Sequence, residues 1–335
     1  MKNKLLELID KIPGHKIMVI GDIVADVYLE GKISRISREA PVLVLEHAGE
    51  TVVPGGAANA IHNAATLGGD VYAVGIIGED GAGQMLARIL KDRTVNTEGL
   101  VADSGRPTIT KTRVMAGGLA TVRQQVVRID QESKEAVSAE ISLRLCDYVI
   151  AHLGDMSAVV MSDYGSGTIS PELRQLVIAA CRERGIPCIV DSRYDILAFP
   201  GVTVAKQNEA ETAAALGCTS LPDACLEEAG WELLRRIEAE AVLVTRGPEG
   251  MSVFERSGGV THIPVTNISE VFDVSGAGDT VVVAMALALA AGASYADAAR
   301  LANFAAGVVV RKPGTATVTL DELCEAVGAY DGEDC

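Results

Sequence analysis

Apolar residues along this chain fall into short runs separated by longer stretches with helical spacing. The runs at 16–21, 71–77, 159–162, 188–191, 203–205 and 242–245 are bounded by turn residues or charges, as strands buried on both faces are. Between or beside them, 57–67, 84–91, 171–184, 208–216 and 224–240 read as helices. The stretches 27–32, 42–47, 108–115 and 122–130 have the look of strands set apart from that rhythm, the last two by their apolar–polar alternation. Residues 1–15 read as a short amphipathic helix and not as a signal peptide. The longest apolar run, 281–293, is too short for a bilayer span and reads as a buried helix. The expectation is an α/β protein with a mostly parallel sheet covered on both faces, without a low-complexity linker or an internal repeat.

Ligands of such sheets gather at the carboxyl ends of the strands. Gly21-Asp22, Ser162-Asp163, Asp191, 206–208 and Thr245-Arg246-Gly247 all fall at such ends. The richest stretch is Asp273-Val274-Ser275-Gly276-Ala277-Gly278-Asp279-Thr280, a strand end, a tight turn and a helix start in order. Helix N-termini carry unpaired N–H groups and positive partial charge, so they hold anions. Gly276 and Gly278 let backbone approach a phosphate, and Asp279 adds a carboxylate. A carboxylate in an anion turn makes sense if it takes a proton from a hydroxyl while the turn steadies a transferring phosphoryl group. Read alone, the same turn also fits a plain strand-to-helix connection with an Asp cap. It lacks the third glycine of a dinucleotide fingerprint, and no P-loop occurs in the chain. A second turn, Pro54-Gly55-Gly56-Ala57-Ala58-Asn59, opens another helix. With Asp22 and Asp26 nearby it offers a grip on sugar hydroxyls, or a simple helix start.

Composition narrows the partners. The chain has 335 residues, a net charge of −16 and a pI near 4.8, which disfavours nucleic acid or an anionic membrane as a general partner. Positive charge is local: Lys111, Arg113, Arg123 and Arg128 lie close in sequence, as do Lys32, Arg35 and Arg38. Taken singly, most of these read as solvated side chains on strand faces. The seven cysteines form no C-x-x-C pair and suggest reduced thiols in a cytosol. The five histidines show no ligand spacing.

Together these residues resemble the ribokinase-like (PfkB) sugar kinases, over about 16–325. The matching pieces are Gly21-Asp22, the 55–59 turn, Gly75-Ile76-Ile77-Gly78-Glu79-Asp80-Gly81, Asn208-Glu209-Ala210-Glu211, Thr245-Arg246-Gly247-Pro248-Glu249-Gly250 and the 273–280 turn. Within that family the chain looks most like the D-glycero-β-D-manno-heptose 7-phosphate kinases of lipopolysaccharide precursor synthesis. The pieces are 33–42, Ser162-Asp163-Tyr164-Gly165, 123–130, 270–276 and 305–310. Some such enzymes are fused to a nucleotidyltransferase domain, which the end at Cys335 leads us not to expect here. Three departures stand out. Asp26-Val27-Tyr28 replaces Asp-Arg-Tyr, Asp191-Ser192-Arg193 replaces Asp-Pro-Lys, and an extra Gly117-Gly118-Leu119-Ala120 precedes Arg123. All lie where sugar contacts are expected, so they bear on the acceptor and leave the kinase chemistry intact.

The resemblance implies a three-layer fold in a single domain, 1–335, with a small β lid from strands within 27–47 and 108–130. It implies ATP-dependent phosphorylation of a sugar-phosphate hydroxyl, with Asp279 as base on the Gly276-Ala277-Gly278 turn. Lys206, Asn208, Thr245, Arg246 and Gly247 would line the nucleotide phosphates, and Gly250 and Asn303 the base and ribose. Glu211 would meet Mg²⁺ through water, although Asn208 and Glu211 also read as a helix cap. Asp273, the Ser275 carbonyl and the loop 311–317 resemble a site for a monovalent cation such as K⁺, or are only a turn. Asp22, Gly55, Gly56, Asn59 and Asp163 would hold the sugar. Lys111, Arg113 and Arg128 would bind a phosphate already on it, or form lid salt bridges. Lid pairing implies a homodimer, and the cell compartment would be the cytoplasm. A ribokinase-like kinase for another sugar, sugar phosphate or nucleoside is the alternative, and a non-catalytic sugar sensor is the alternative from another class.

Overall fold

The computed structural model describes residues 1–117, 124–266 and 271–330. Positions 122 and 123 of an expected strand, the 118–120 stretch and Glu270 lie outside the described residues. The first half runs α1 (Lys2–Ile9), β1 (Lys16–Gly21), β2 (Ile23–Ile36), β3 (Leu43–Gly56), α2 (Ala57–Thr66), β4 (Asp70–Gly78), α3 (Gly81–Lys91), β5 (Asn96–Asp103), β6 (Ile109–Gly117) and β7 (Gln124–Gln131). There follow α4 (Ala139–His152), β8 (Ala158–Asp163), α5 (Pro171–Arg184), β9 (Cys188–Ser192), β10 (Val204–Asn208), α6 (Glu209–Ala215), α7 (Leu226–Ile237) and β11 (Ala241–Thr245). The chain closes with β12 (Met251–Glu255), β13 (Val260–Ile263), α8 (Ala277–Ala290), α9 (Tyr295–Val309) and α10 (Leu320–Gly328).

The central sheet has the order β13-β12-β11-β10-β9-β8-β1-β4-β5. From β11 to β5 neighbouring strands are parallel, and β12 and β13 add an antiparallel edge. Strand β1 shows why three layers form. Ile17 and Val19 join the core with α1, α2, α8, α9 and α10, whereas Met18 and Ile20 join the core with α4, α5 and α7. A strand apolar on both faces has to be covered twice. Burying each such side chain contributes about 1.5–3 kcal/mol. Helix α8 is buried through Val281–Ala288, as a helix apolar all round must be.

A second sheet has the order β3-β2-β6-β7 and takes in the stretches from which a lid was expected. Its strands are longer than the sequence suggests. β2 starts at Ile23, with only Asp22 between it and the end of β1, because its buried root Ile23–Val27 reads as more of the same apolar run. β3 continues to Gly56, so Gly55 and Gly56 pair with Val24 and Ile23 and end a strand where a free turn was expected. β7 is exposed along its whole length.

Two other differences matter. α8 begins at Ala277, so Gly278 and Asp279 belong to its first turn and do not precede it. The apolar run breaks at Gly292, whose φ is 87°, and α9 follows. β5 carries Glu98, Gly99 and Asn96, and that mixture hid an edge strand paired parallel to β4.

Candidate active site

The site is assembled where β1, β8, β9 and β10 end and α8 begins. Asp279 is 5% exposed in the first turn of α8. Its Oδ2 accepts from Asn59 Nδ2 at 2.9 Å and its Oδ1 from the Tyr164 hydroxyl at 2.9 Å. Burial pushes its pKa up to about 6, reinforced by Asp191 and opposed by the two donors and by Lys206. A carboxyl poised there is ionised at neutral pH and still basic enough to take a proton.

Gly276 is the N-cap of α8 with φ 78°, and a Cβ there would lie 2.4 Å from Asn59 Nδ2. A Cβ on Gly278 would lie 2.9 Å from Lys206 Nζ, so this glycine lets the ammonium reach the helix N-terminus. The Ala277 N–H donates to the Val274 carbonyl at 3.2 Å. Ala277 is therefore not free to hold an anion, which leaves the amides of Gly278 and Asp279, unpaired in the first turn of the helix, as the donors of the expected anion turn.

Lys206 is 5% exposed and pairs with Asp191 at 2.7 Å. Burial works against its charge, but Asp191, Glu211 and Asp279 outweigh it and raise its pKa. Asn208 and Glu211 form a reciprocal capping box at the start of α6. Burial and the nearby Asp191 charge still push the Glu211 carboxyl up against the pull of Lys206.

Several expected ligands are committed elsewhere. Asp22 is 0% exposed and accepts from the backbone N–H groups of Tyr164, Ser166 and Thr168. Its carboxylate builds the loop after β8 and does not lie open to a sugar. Asn59 likewise spends its amide on Asp279 and on the Gly276 carbonyl. Asp163 accepts from the Gly165 N–H and the Ser192 hydroxyl, tying β8 to β9 through one of the departures from the family pattern. Arg246 bonds Glu209 at 3.1 Å and Asp223 at 2.6 Å, so its guanidinium is paired with carboxylates. Thr245 reaches the Gln207 carbonyl, and the 246–250 turn closes on itself through Arg246 N–H to Gly250 O. Gly247 opens that turn, and the Asn303 amide holds the Pro264 carbonyl at 2.7 Å. Beside Asn303 on α9, Phe304, Gly307 and Val308 line a cavity of about 750 Å³ together with Thr266.

In the lid, Arg113 pairs with Asp26 at 2.6 Å and Arg128 with Asp130 at 2.5 Å. The salt-bridge reading therefore holds for both. Among the described residues Lys111 makes no salt bridge, and its ammonium lies 5.3 Å from the centre of the Tyr164 ring. Arg123 lies outside the described residues. Asp273 accepts from Ser275 N–H at 2.9 Å and Gly314 N–H at 3.0 Å, which brings the 273–276 turn and the 311–317 loop together. Among the described residues, no group of three or more His, Cys, Asp or Glu side chains makes a metal cage.

Sequence reasoning assigned no role to Tyr164, Asn63 or Thr280. Thr280 Oγ1 donates to Asn63 Oδ1 and Asn63 Nδ2 to Asn59 Oδ1, so the amide that holds Asp279 is itself held. Asp80 accepts from Gly83 N–H, Thr108 N–H and Thr108 Oγ1, fixing the entry to lid strand β6. Its signal was present in the 75–81 motif.

A family model for the pfkB family carbohydrate kinases matches residues 14–322. The chain is 42% identical to the bifunctional protein HldE of Geobacter sulfurreducens over 317 residues, covering 94% of this chain and 64% of that protein. With HldE of Azorhizobium caulinodans it is 44% identical over 313 residues, covering 93% and 64%. The chain thus spans just under two thirds of the length of these curated relatives. Among solved structures, it is similar to ribokinase from Arabidopsis thaliana complexed with ribose and ATP, with a TM-score of 0.72 at 20% identity, covering 94% of this chain and 99% of that one. It is also similar to phosphofructokinase-2 from Escherichia coli in complex with substrates and products, with a TM-score of 0.75 at 22% identity, covering 95% and 100%. These likenesses show the ribokinase-like fold.

Proposed function

The chain belongs to the pfkB family of carbohydrate kinases, phosphotransferases with an alcohol acceptor, and on that footing we propose that it phosphorylates a heptose 7-phosphate with ATP, giving the 1,7-bisphosphate. The observation that carries the chemistry is Asp279, a buried carboxylate with two fixed donors, set in the helix turn that Lys206 reaches. The sugar hydroxyl oxygen bonds to the γ-phosphorus as the bond to the β-phosphate oxygen breaks. ADP leaves with that electron pair, and the hydroxyl proton goes to Asp279. The Gly278 and Asp279 amides and Lys206 stabilise charge on the transferring group, an effect of order 3 kcal/mol per donor.

Magnesium in a kinase is held largely by nucleotide phosphates and water, so it does not require a cage of protein carboxylates. Glu211 is the carboxylate we assign to it. Asn208, Thr245 and Gly247 line the phosphates in this reading, with the base near Asn303 and Gly250. We keep Asp273, Ser275 and the 311–317 loop as the monovalent-cation site.

The heptose phosphate rests on the motifs that resemble its kinases and on the similarity to the HldE proteins. Lys111 is the lid residue we assign to the substrate phosphate, because Arg113 and Arg128 already hold carboxylates. Gly55, Gly56 and Asp163 are the residues we keep for the sugar. The lid exposes Ile36, Val42, Leu43, Val127 and Ile129. Pairing two lids would cover them, so we propose a homodimer, and a monomer at micromolar concentration in light scattering would count against it. The six described cysteines are unpaired, which suits a reducing cytoplasm. Among the described residues no helix is long and apolar enough to cross a membrane.

Mg²⁺-dependent ADP release across a panel of acceptors tests the reading. D-glycero-D-manno-heptose 7-phosphate should turn over, and ribose, fructose, fructose 6-phosphate and adenosine should not. Turnover confined to one of the others would remove the heptose assignment and leave the kinase chemistry.

A further inference from the structure

We infer that Tyr164 is a positioning residue for the base: its hydroxyl, opposite the Asn59 amide, fixes how Asp279 presents its remaining lone pairs, and the lid steadies the Tyr164 ring through Lys111. The inference rests on the reading of Asp279 as the base. An ionised carboxylate offers about four acceptor sites. Tyr164 takes one on Oδ1 and Asn59 one on Oδ2, each at 2.9 Å, from two different parts of the fold. With both oxygens held, the carboxylate cannot swing about its side-chain bonds. One lone pair on each oxygen is left for an acceptor hydroxyl.

The loop that carries Tyr164 is itself fixed. Its backbone N–H and those of Ser166 and Thr168 all donate to the buried Asp22 carboxylate. That gives Asp22 a purpose that a sugar ligand would not need. The Lys111 ammonium lies 5.3 Å from the Tyr164 ring centre, within cation–π range. Lys111 belongs to β6, so the donor that orients the base is also in contact with the lid. Asp191 from β9 and Lys206 from β10 face Asp279, and Asp191 and Arg193 face Tyr164. Burial, then Asp279 and Asp191, push the phenol far above its ordinary pKa, so it remains a donor throughout the working range. Donation from Tyr164 favours the charged carboxylate, so losing it raises the Asp279 midpoint.

The measurement is a ¹³C titration of the aspartate carboxyls, with the Asp279 signal assigned by its loss in Asp279→Asn. Tyr164→Phe keeps the ring and removes only the donor. It should raise the Asp279 midpoint by ~1 unit and lower kcat at the alkaline plateau about tenfold. 3-Fluorotyrosine incorporated at Tyr164 is a stronger donor and should move the midpoint the other way. If both substitutions leave the midpoint at its wild-type value, Tyr164 is packing alone and the inference is overturned. The titration needs no substrate. Failure of every acceptor to turn over would therefore count against the proposed function without touching this result.

Discussion

The two sheets treat charge in opposite ways. At the strand ends of the central sheet, Asp22, Lys206 and Asp279 are buried, and each is fixed by named partners. In the lid, Arg128 and Asp130 pair on an exposed strand, and Arg113 and Asp26 pair nearer the root. Burial is what shifts the Asp279 carboxyl to about 6, and a base needs that shift. On exposed β7 the lid charges can rearrange cheaply around an acceptor, whereas the Arg113–Asp26 pair at the root is largely buried. On the proposed function, chemistry is assigned to the central sheet and selectivity to the lid.

That contrast can be broken most sharply at Asp279. Asp279→Asn should lower kcat by ~10²–10⁴-fold while acceptor binding, read by calorimetry, persists. Near-normal turnover would move the base elsewhere. Lys206→Met comes next. It strands Asp191, Glu211 and Asp279 together without their shared cation, and a broken buried pair costs ~3–5 kcal/mol. Denaturant unfolding should show that loss, and an unchanged midpoint would mean that water screens the cluster. Arg113→Gln leaves the Asp26 carboxylate, 6% exposed, without its cation. This lid change should raise KM for the acceptor severalfold and leave kcat nearly unchanged; a fall in kcat alone would place Arg113 in the chemistry. Arg128→Gln is the smallest change. Its partner is 44% exposed, so stability should shift by ~0–1 kcal/mol, and a larger loss in thermal unfolding would show the lid strand to be covered in solution.

Much of the central sheet was legible because its strands are apolar on both faces and end in turn residues. Ile17 to Ile20 carry that signal without ambiguity. The edge strands were not, because β5 and the β12–β13 hairpin need no continuous apolar run. The convergence of Asp22, Asp163, Asp191 and Lys206 could be anticipated from strand ends; Asp279 came from its glycine turn, and the strand end expected before it is absent, because 271–276 form no strand. What each carboxylate does there could not be anticipated. Asn59 and Asp279 are 220 positions apart, and Tyr164 and Asp279 are 115 apart. No local pattern distinguishes an amide that holds a base from one that holds a sugar. Arg246 shows the same limit. Its place at the end of β11 suggested phosphate, and only the fold reveals Glu209 and Asp223 around it.

The most direct measurement is the pH dependence of kcat for the unmodified enzyme with its acceptor and saturating Mg²⁺–ATP. If buried Asp279 accepts the hydroxyl proton, kcat should fall about tenfold per pH unit below its midpoint and level off above it, with that midpoint near 6. The sign follows from the base having to be ionised to act. A kcat that stays flat down to pH ~4.5 while the fold persists would mean that no group of this kind limits the reaction, and Asp279 would lose its role.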